Sequence, residues 1–239
     1  MSGHLKRLNA PRSLHLHRKE RVWTVRAASG PHPTKSAIPL GLLIRDYLHL
    51  CDSLREAKRL LSNGEILVDQ TVQKHYRFPV GLMDVVSIPK LKKQYRVLFD
   101  KRGKLALVSL QSAEAGWKLR KITGKTIVKG KKTQLSFHDG FTMLVKKDSY
   151  RTGDVLKISF EKNKVEATYS QTKGTVSLIT GGSHIGELAT IESIEEIKSS
   201  KPNVARMKGD HSFITLQDYV FAVGTTKPVI HIPEVSVNE

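Results

Sequence analysis

Residues 38–72 carry the pattern that leaves the fewest folding options. Leu40, Leu43, Ile44, Tyr47 and Leu48 follow the i, i+3, i+4, i+7, i+8 spacing of one helix face, and Pro39 suits the first turn. Ser53-Leu54-Arg55-Glu56 reads as a capping box, in which Ser53 and Glu56 satisfy each other's free backbone donors. A second helix is expected to follow, with Leu54, Ala57, Leu60 and Leu61 inward and Arg55, Lys58 and Arg59 outward. Asn63-Gly64 stops it. Ile66–Val68, Asp69-Gln70 and Thr71-Val72 then read as strand, tight turn and strand, and Val85–Ile88 as one more strand. Two short helices leading into a hairpin are predicted.

Charge narrows the choice of partner. The 239 residues hold 40 Lys+Arg against 22 Asp+Glu, a net charge of +18. Residues 1–37 have 8 basic and 1 acidic side chains, and residues 38–90 have 7 and 6. Residues 91–151 have 16 and 4, whereas residues 152–239 have 9 and 11. Two cationic segments therefore flank a nearly neutral one, which points to a polyanion-facing surface. No run approaches the roughly 20 apolar residues of a spanning helix, and no apolar signal core follows His4-Leu5-Lys6-Arg7. The single cysteine, Cys51, excludes an intramolecular disulfide and a cysteine-built zinc site. A soluble cytoplasmic protein with a nucleic-acid partner is expected, with no membrane.

Residues 1–37 read as a basic arm without a sustained helical or strand period, broken by Gly30-Pro31-His32-Pro33. Its RNA-binding candidates are Lys6, Arg7, Arg12, Arg18, Lys19 and Arg21. Trp23 either docks the arm on the body or stacks on a base, docking being the preferred reading.

The two helices, hairpin and basic second helix resemble the alpha-L RNA-binding module of ribosomal proteins, carried by Leu54-Arg55-Glu56-Ala57 and Ile66-Leu67-Val68-Asp69. The resemblance implies RNA contacts at Ser53, Arg55, Lys58 and Arg59, with Arg45, Lys74 and Arg77 on the rim. Gln70 departs from the glycine that such modules often place after the turn aspartate. Further words, His4-Leu5-Lys6-Arg7, Gly30–Pro33, Ile38-Pro39-Leu40, Phe78–Val85, Gln134–Gly140 and Tyr219–Gly224, occur in family order along nearly the whole chain. On them the chain resembles the archaeal and eukaryotic small-subunit ribosomal proteins of the S4e family. Leu14 stands where an aromatic is expected, and the length fits an archaeal member. The resemblance implies a structural constituent of the small ribosomal subunit, bound to its ribosomal RNA and to neighbouring small-subunit proteins.

Residues 91–171 read as a basic central β domain. Arg96–Phe99, Asp100–Gly103 and Leu105–Val108 form a hairpin with a basic tip at Lys101 and Arg102. Strands follow at Lys125–Val128 and Phe141–Val145, and Lys129-Gly130-Lys131-Lys132 places Lys131 and Lys132 on a loop tip. Such tips contact phosphates rather than bases. Residues 172–239 form the last domain. Lys173–Gly182 and Ile185–Ile191 resemble a KOW motif, with His184 as the one basic residue near the bend. The unit contacts either RNA or protein. Phe213–Val223 supplies further strand and Pro228–Glu239 a tail. The fold class is α+β, mostly β: a basic N-terminal arm (1–37), an alpha-L module (38–90), a central β domain (91–171) and a KOW-type SH3-like β unit (172–239).

Enzyme signals fail on inspection. Gly124-Lys125-Thr126 ends like a phosphate-binding loop, but Leu119 stands where that loop needs glycine. Gly181–Ile185 lacks the final glycine of a nucleophile elbow. His15, His17 and His32 have no carboxylates beside them in the arm, and His138-Asp139 reads as a turn. No catalytic residue, metal, cofactor or small-molecule substrate is expected. The alternatives are an RNA-associated transcription or translation factor that uses the KOW unit for protein contact, and an RNA-modifying enzyme with an appended module.

Overall fold

The computed structural model describes residues 4–145, 149–161, 163–209 and 211–231. They divide into two compact units. One runs to Leu98 and adds Lys104–Lys118; the other joins Phe99–Gly103 to the chain from Leu119 onward. The chain is α+β and mostly β.

In the first unit β1 (His4–Lys6) pairs antiparallel with β2 (Trp23–Val25), Lys6 opposite Trp23. This corrects the expectation of an arm without regular structure. Three-residue strands separated by a long loop leave no period in the sequence to detect. After β3 (Ala37–Pro39), helix α1 (Leu40–Leu42) continues as a wider π-turn over Leu43–Tyr47, and Leu48 N–H donates to the Leu43 carbonyl at 3.0 Å. Leu40, Leu43 and Ile44 are buried as the spacing predicts, while Pro39 ends the strand and caps the helix from outside.

Helix α2 (Leu54–Ser62) buries Ala57 and Leu61 and leaves Arg55, Lys58 and Arg59 in water. The expected hairpin is β4 (Leu67–Val68) and β5 (Thr71–Val72), with Asp69 at φ 50° and Gln70 at φ 61°. Two consecutive left-handed residues match the right-handed twist of the strands, so the turn forms despite Gln70. Then come β6 (Pro79–Gly81), β7 (Val85–Ile88), β8 (Lys93–Phe99) and β9 (Leu105–Ser109). β6 pairs with β3, and a five-stranded sheet has the order β5-β4-β7-β8-β9.

The second unit contains two antiparallel sheets. β10 (Trp117–Val128), β11 (Lys132–Phe137), β12 (Thr142–Val145), β13 (Val155–Ser159) and β14 (Val165–Tyr169) build one, in the order β12-β11-β10-β13-β14. Its core is Ile122, Leu135, Phe137, Leu156 and Ile158. β15 (Val176–Ile179), β16 (Leu188–Glu195), β17 (Val204–Lys208), β18 (Ser212–Leu216) and β19 (Val220–Gly224) build the other, in the order β18-β17-β16-β15-β19. Period-two alternation is plain in β17, where Ala205 and Met207 are buried and Arg206 and Lys208 exposed.

Two details differ from the expected layout. Phe213–Val223 is two strands, because Gln217–Tyr219 forms a tight helical turn between them. The tail expected from Pro228 is anchored at its start: Val229 N–H donates to the Val223 carbonyl at 2.9 Å, and Ile230 is buried. Residues 232–239 lie outside the described residues.

Candidate nucleic-acid interface

The start of α2 is built as the capping box requires. Glu56 N–H donates to Ser53 Oγ at 3.3 Å, Ser53 Oγ donates to the Glu56 carboxylate at 2.8 Å, and the carboxylate also accepts from Asp52 N–H at 3.2 Å. The Ser53 bond, followed by that from Asp52, holds the Glu56 carboxyl below its ordinary range. Ser53 was expected to touch RNA, but its hydroxyl is engaged in the cap. Beyond it, Arg55, Lys58 and Arg59 stand at the i, i+3, i+4 spacing of one helix face and are exposed. Lys58 Nζ lies 4.3 Å from the centre of the Tyr76 ring, a cation–π contact that steadies a flexible side chain.

The rim candidates divide. Lys74 is exposed. Arg45 is tied through both Nε and Nη2 to the Asp46 carboxylate, the second bond at 3.0 Å, and this pairing raises its pKa. Arg77 Nε donates to the Arg26 carbonyl at 3.0 Å. Both serve local structure first.

The arm divides in the same way. Lys6, Arg12, Lys19 and Arg21 are exposed. Arg7 is buried, donates to the His17 carbonyl at 2.8 Å and the Trp23 carbonyl at 3.4 Å, and faces Glu20 and Asp46 at 3.8 and 3.7 Å. Arg18 donates to the carbonyls of Arg7, Leu8, Ala10 and Pro11 at 3.2, 3.3, 2.8 and 2.9 Å. Both were expected to reach RNA; the structure uses them to hold the loop between β1 and β2. Trp23, expected to dock, is instead 52% exposed.

A buried ionic cluster in the first unit was not anticipated. His32 Nε2 lies 3.0 and 2.9 Å from the two Asp84 carboxylate oxygens, and Asp84 also accepts from Gly81 N–H at 2.8 Å. Lys118 Nζ bridges Asp84 to Asp69, the second contact at 2.8 Å, and Asp69 accepts from Val85 N–H at 2.9 Å. Burial alone would raise the Asp84 carboxyl, but Lys118 and His32 overcome it and hold Asp84 well below its ordinary range. At Asp69 burial prevails and pushes the carboxyl up. Gly81 makes room for the imidazole, since a Cβ there would lie 2.3 Å from the His32 ring.

Further cations of the basic middle segment also turn inward. Arg96 is buried against Trp117, with its guanidinium 4.4 Å from a ring centre and bonds of 2.9 and 3.1 Å to the Glu114 and Trp117 carbonyls. In the second unit Arg120 pairs with Asp139 at 2.7 Å, which gives the expected turn aspartate a core role. Lys121 Nζ donates to the carbonyls of Asp218 and Val220 at 2.7 and 2.8 Å, and burial lowers its pKa to about 8.

The predicted loop tips remain outward. Lys101 and Arg102 are exposed on the β8–β9 turn, Lys131 on the β10–β11 turn and Lys132 at the first position of β11. The first turn rests on Gly186, where a Cβ would meet the Asp100 carbonyl oxygen at 2.3 Å. His184 stacks on Phe213 at 4.0 Å and bonds Glu187 at 3.1 Å, so the basic residue of this bend has internal partners. Lys92, in the turn after β7, and Lys93, at the first position of β8, are exposed and join the cationic surface. The run Lys90-Leu91-Lys92-Lys93 was the signal that could have found them.

Three family models match the chain: RS4NT (NUC023) domain over residues 1–35, S4 domain over 46–86, and Ribosomal family S4e over 91–165. The small ribosomal subunit protein eS4 of Methanosphaera stadtmanae is 45% identical over 230 residues, covering 96% of this chain and 95% of the relative. This chain belongs to the S4e family. The S4e relative from Archaeoglobus fulgidus is 45% identical over 233 residues, covering 96% of this chain and 97% of its own. The crystal structure of the 30S ribosomal protein S4e of Thermoplasma acidophilum matches with a TM-score of 0.71 and 35% identity, over 80% of this chain and 96% of that one. The matched S4 segment contains α2 and the β4–β5 hairpin, the elements that expose the cationic helix face.

Proposed function

We propose that this chain is a structural constituent of the cytoplasmic small ribosomal subunit, bound to its ribosomal RNA and to neighbouring ribosomal proteins, and that it catalyses no reaction. The observation that carries this reading is the near full-length likeness to small-subunit proteins, 45% identical over 96% of the chain. The contacts assigned to RNA phosphates are Arg55, Lys58 and Arg59 on α2, with Lys74 beside them. Lys6, Arg12, Lys19 and Arg21 in the arm, and Lys101, Arg102, Lys131 and Lys132 on the β turns, complete the set. Ammonium and guanidinium groups on rigid turns and helix faces neutralise phosphates without reading sequence, which suits a protein that positions folded RNA. The arm (1–37), module (38–90) and central β domain (91–171) supply these contacts. The C-terminal KOW-type unit (172–239) is assigned to protein contact, because His184 already has internal partners.

The test is sedimentation of a lysate on a sucrose gradient after a high-salt wash. Retention at about one copy per small subunit supports the reading. Release into the light fractions supports an RNA-associated factor instead. In isolation, neutralising roughly 6–10 phosphates predicts a loss of about 10³–10⁵ in RNA affinity between 50 and 200 mM salt. A flat salt dependence removes the phosphate-contact mechanism.

A further inference from the structure

Trp23 is 52% exposed although it lies in a formed strand. A single exposed apolar side chain is common on proteins, so what Trp23 serves is decided by the groups around it. The hairpin that carries Trp23 is firmly built. Arg7 N–H donates to the Val22 carbonyl at 2.9 Å, and the Arg7 guanidinium binds the Trp23 and His17 carbonyls. The His4 ring lies nearly perpendicular to the indole, 4.9 Å between centroids at 85°.

The surroundings select the occupant. Lys6 is the register partner of Trp23, so the two side chains leave the same face of the hairpin. Lys19 and Arg21, in the loop entering β2, are also exposed. The acidic neighbour Glu20 faces Arg7 and His17, at 3.8 and 3.9 Å. A ligand suited to this surface presents a flat π face and carries negative charge a few ångströms away. An unpaired nucleotide has both features, because its base stacks on an aromatic ring while its phosphates meet the cations.

We propose that Trp23 is a stacking platform for an unpaired base of the ribosomal RNA, with Lys6 and Arg21 on the adjoining phosphates. The inference rests on the reading of the chain as an RNA-binding protein and adds a base contact to a surface otherwise assigned to phosphates. The second tryptophan, Trp117, is buried away from ligand, so a change in emission on binding that the Trp23 variants lack belongs to Trp23.

The experiment titrates the full chain with deproteinised archaeal small-subunit ribosomal RNA while recording tryptophan emission, beside the Trp23→Phe and Trp23→Ala variants. Quenching is expected in the parent chain and absent from both variants. Trp23→Ala should weaken binding by roughly ten-fold, Trp23→Phe should retain most of the affinity, and neither should change the salt slope. Normal binding with unchanged emission overturns the stacking role and leaves RNA binding intact. A lower salt slope in Trp23→Ala also overturns it, since the indole would then act by ordering the arm's cations. Failure of the parent chain to bind the RNA counts instead against the proposed function.

Discussion

Helix α2 and the loop between β1 and β2 both read as strips of positive charge, yet they use their cations in opposite ways. On α2 the charges of Arg55, Lys58 and Arg59 all face water. In the loop, Arg7 and Arg18 turn inward and bind six carbonyl contacts between them. The cause is backbone accounting. A helix satisfies its own carbonyls, so its side chains are free to serve a partner. A loop with little regular structure leaves carbonyls open, and arginine's five donors close several of them at once. Local charge count therefore reports surface charge on a helix but overstates it in a loop.

The largest expected effect lies where the inward use of charge is most complete. Lys118→Met leaves Asp69 and Asp84 without their shared cation and should destabilise the chain by about 3–5 kcal/mol in urea unfolding. A loss under about 1 kcal/mol would mean that the carboxylates simply protonate. The same cluster predicts acid sensitivity. Because the folded Asp84 carboxyl is held below its unfolded value, its contribution is present above about pH 4 and lost as pH falls below that. Asp69, pushed up by burial, takes its proton earlier and acts in the opposite sense, so the loss below pH 4 belongs to Asp84. Asp84→Asn should flatten that acid limb.

Arg18→Ala comes next, at about 2 kcal/mol, from the loss of charge-assisted bonds to loop carbonyls. Hydrogen exchange should show reduced amide protection across β1 and β2; unchanged protection would break the contrast between loop and helix. Gln70→Gly should stabilise by about 1 kcal/mol, because glycine adopts the observed φ of 61° without steric cost. An unchanged midpoint of thermal unfolding would show that no strain resides in the turn. The smallest effect on stability is expected for Arg55→Ala, Lys58→Ala and Arg59→Ala together, within about 0.5 kcal/mol per site. Their effect should appear in RNA binding, as a salt slope lower by about 2.7. Equal affinity with an unchanged slope would remove α2 from the interface.

Much of the fold was legible. The apolar spacing from Leu40 to Leu61, the cap at Ser53 and the alternation of the β runs are local signals, and the structure follows them. What escaped the sequence reading depends on distance along the chain. His32, Asp69, Asp84 and Lys118 are separated by up to 86 positions, and no local pattern announces that they meet. Lys118 and Arg120 alternate with the apolar Trp117 and Leu119, so a period of two assigns them to a solvent face, whereas all four are buried. The outward cations on α2 were readable because 3.6 residues per turn fixes a face. Those of the arm were not, because an irregular loop has no fixed face.

The order β18-β17-β16-β15-β19 also sets a timetable for synthesis. β15 to β18 form a meander that can pair as each strand leaves the ribosome, but β19 must return to the far side of β15. Until residues 220–224 emerge, β15 offers an open strand edge made of Val176, Ser177, Leu178 and Ile179, all buried in the finished sheet. Such an edge pairs readily with another nascent chain. The newborn protein thus passes through a short interval in which this edge is open to aggregation, and that interval closes when β19 arrives.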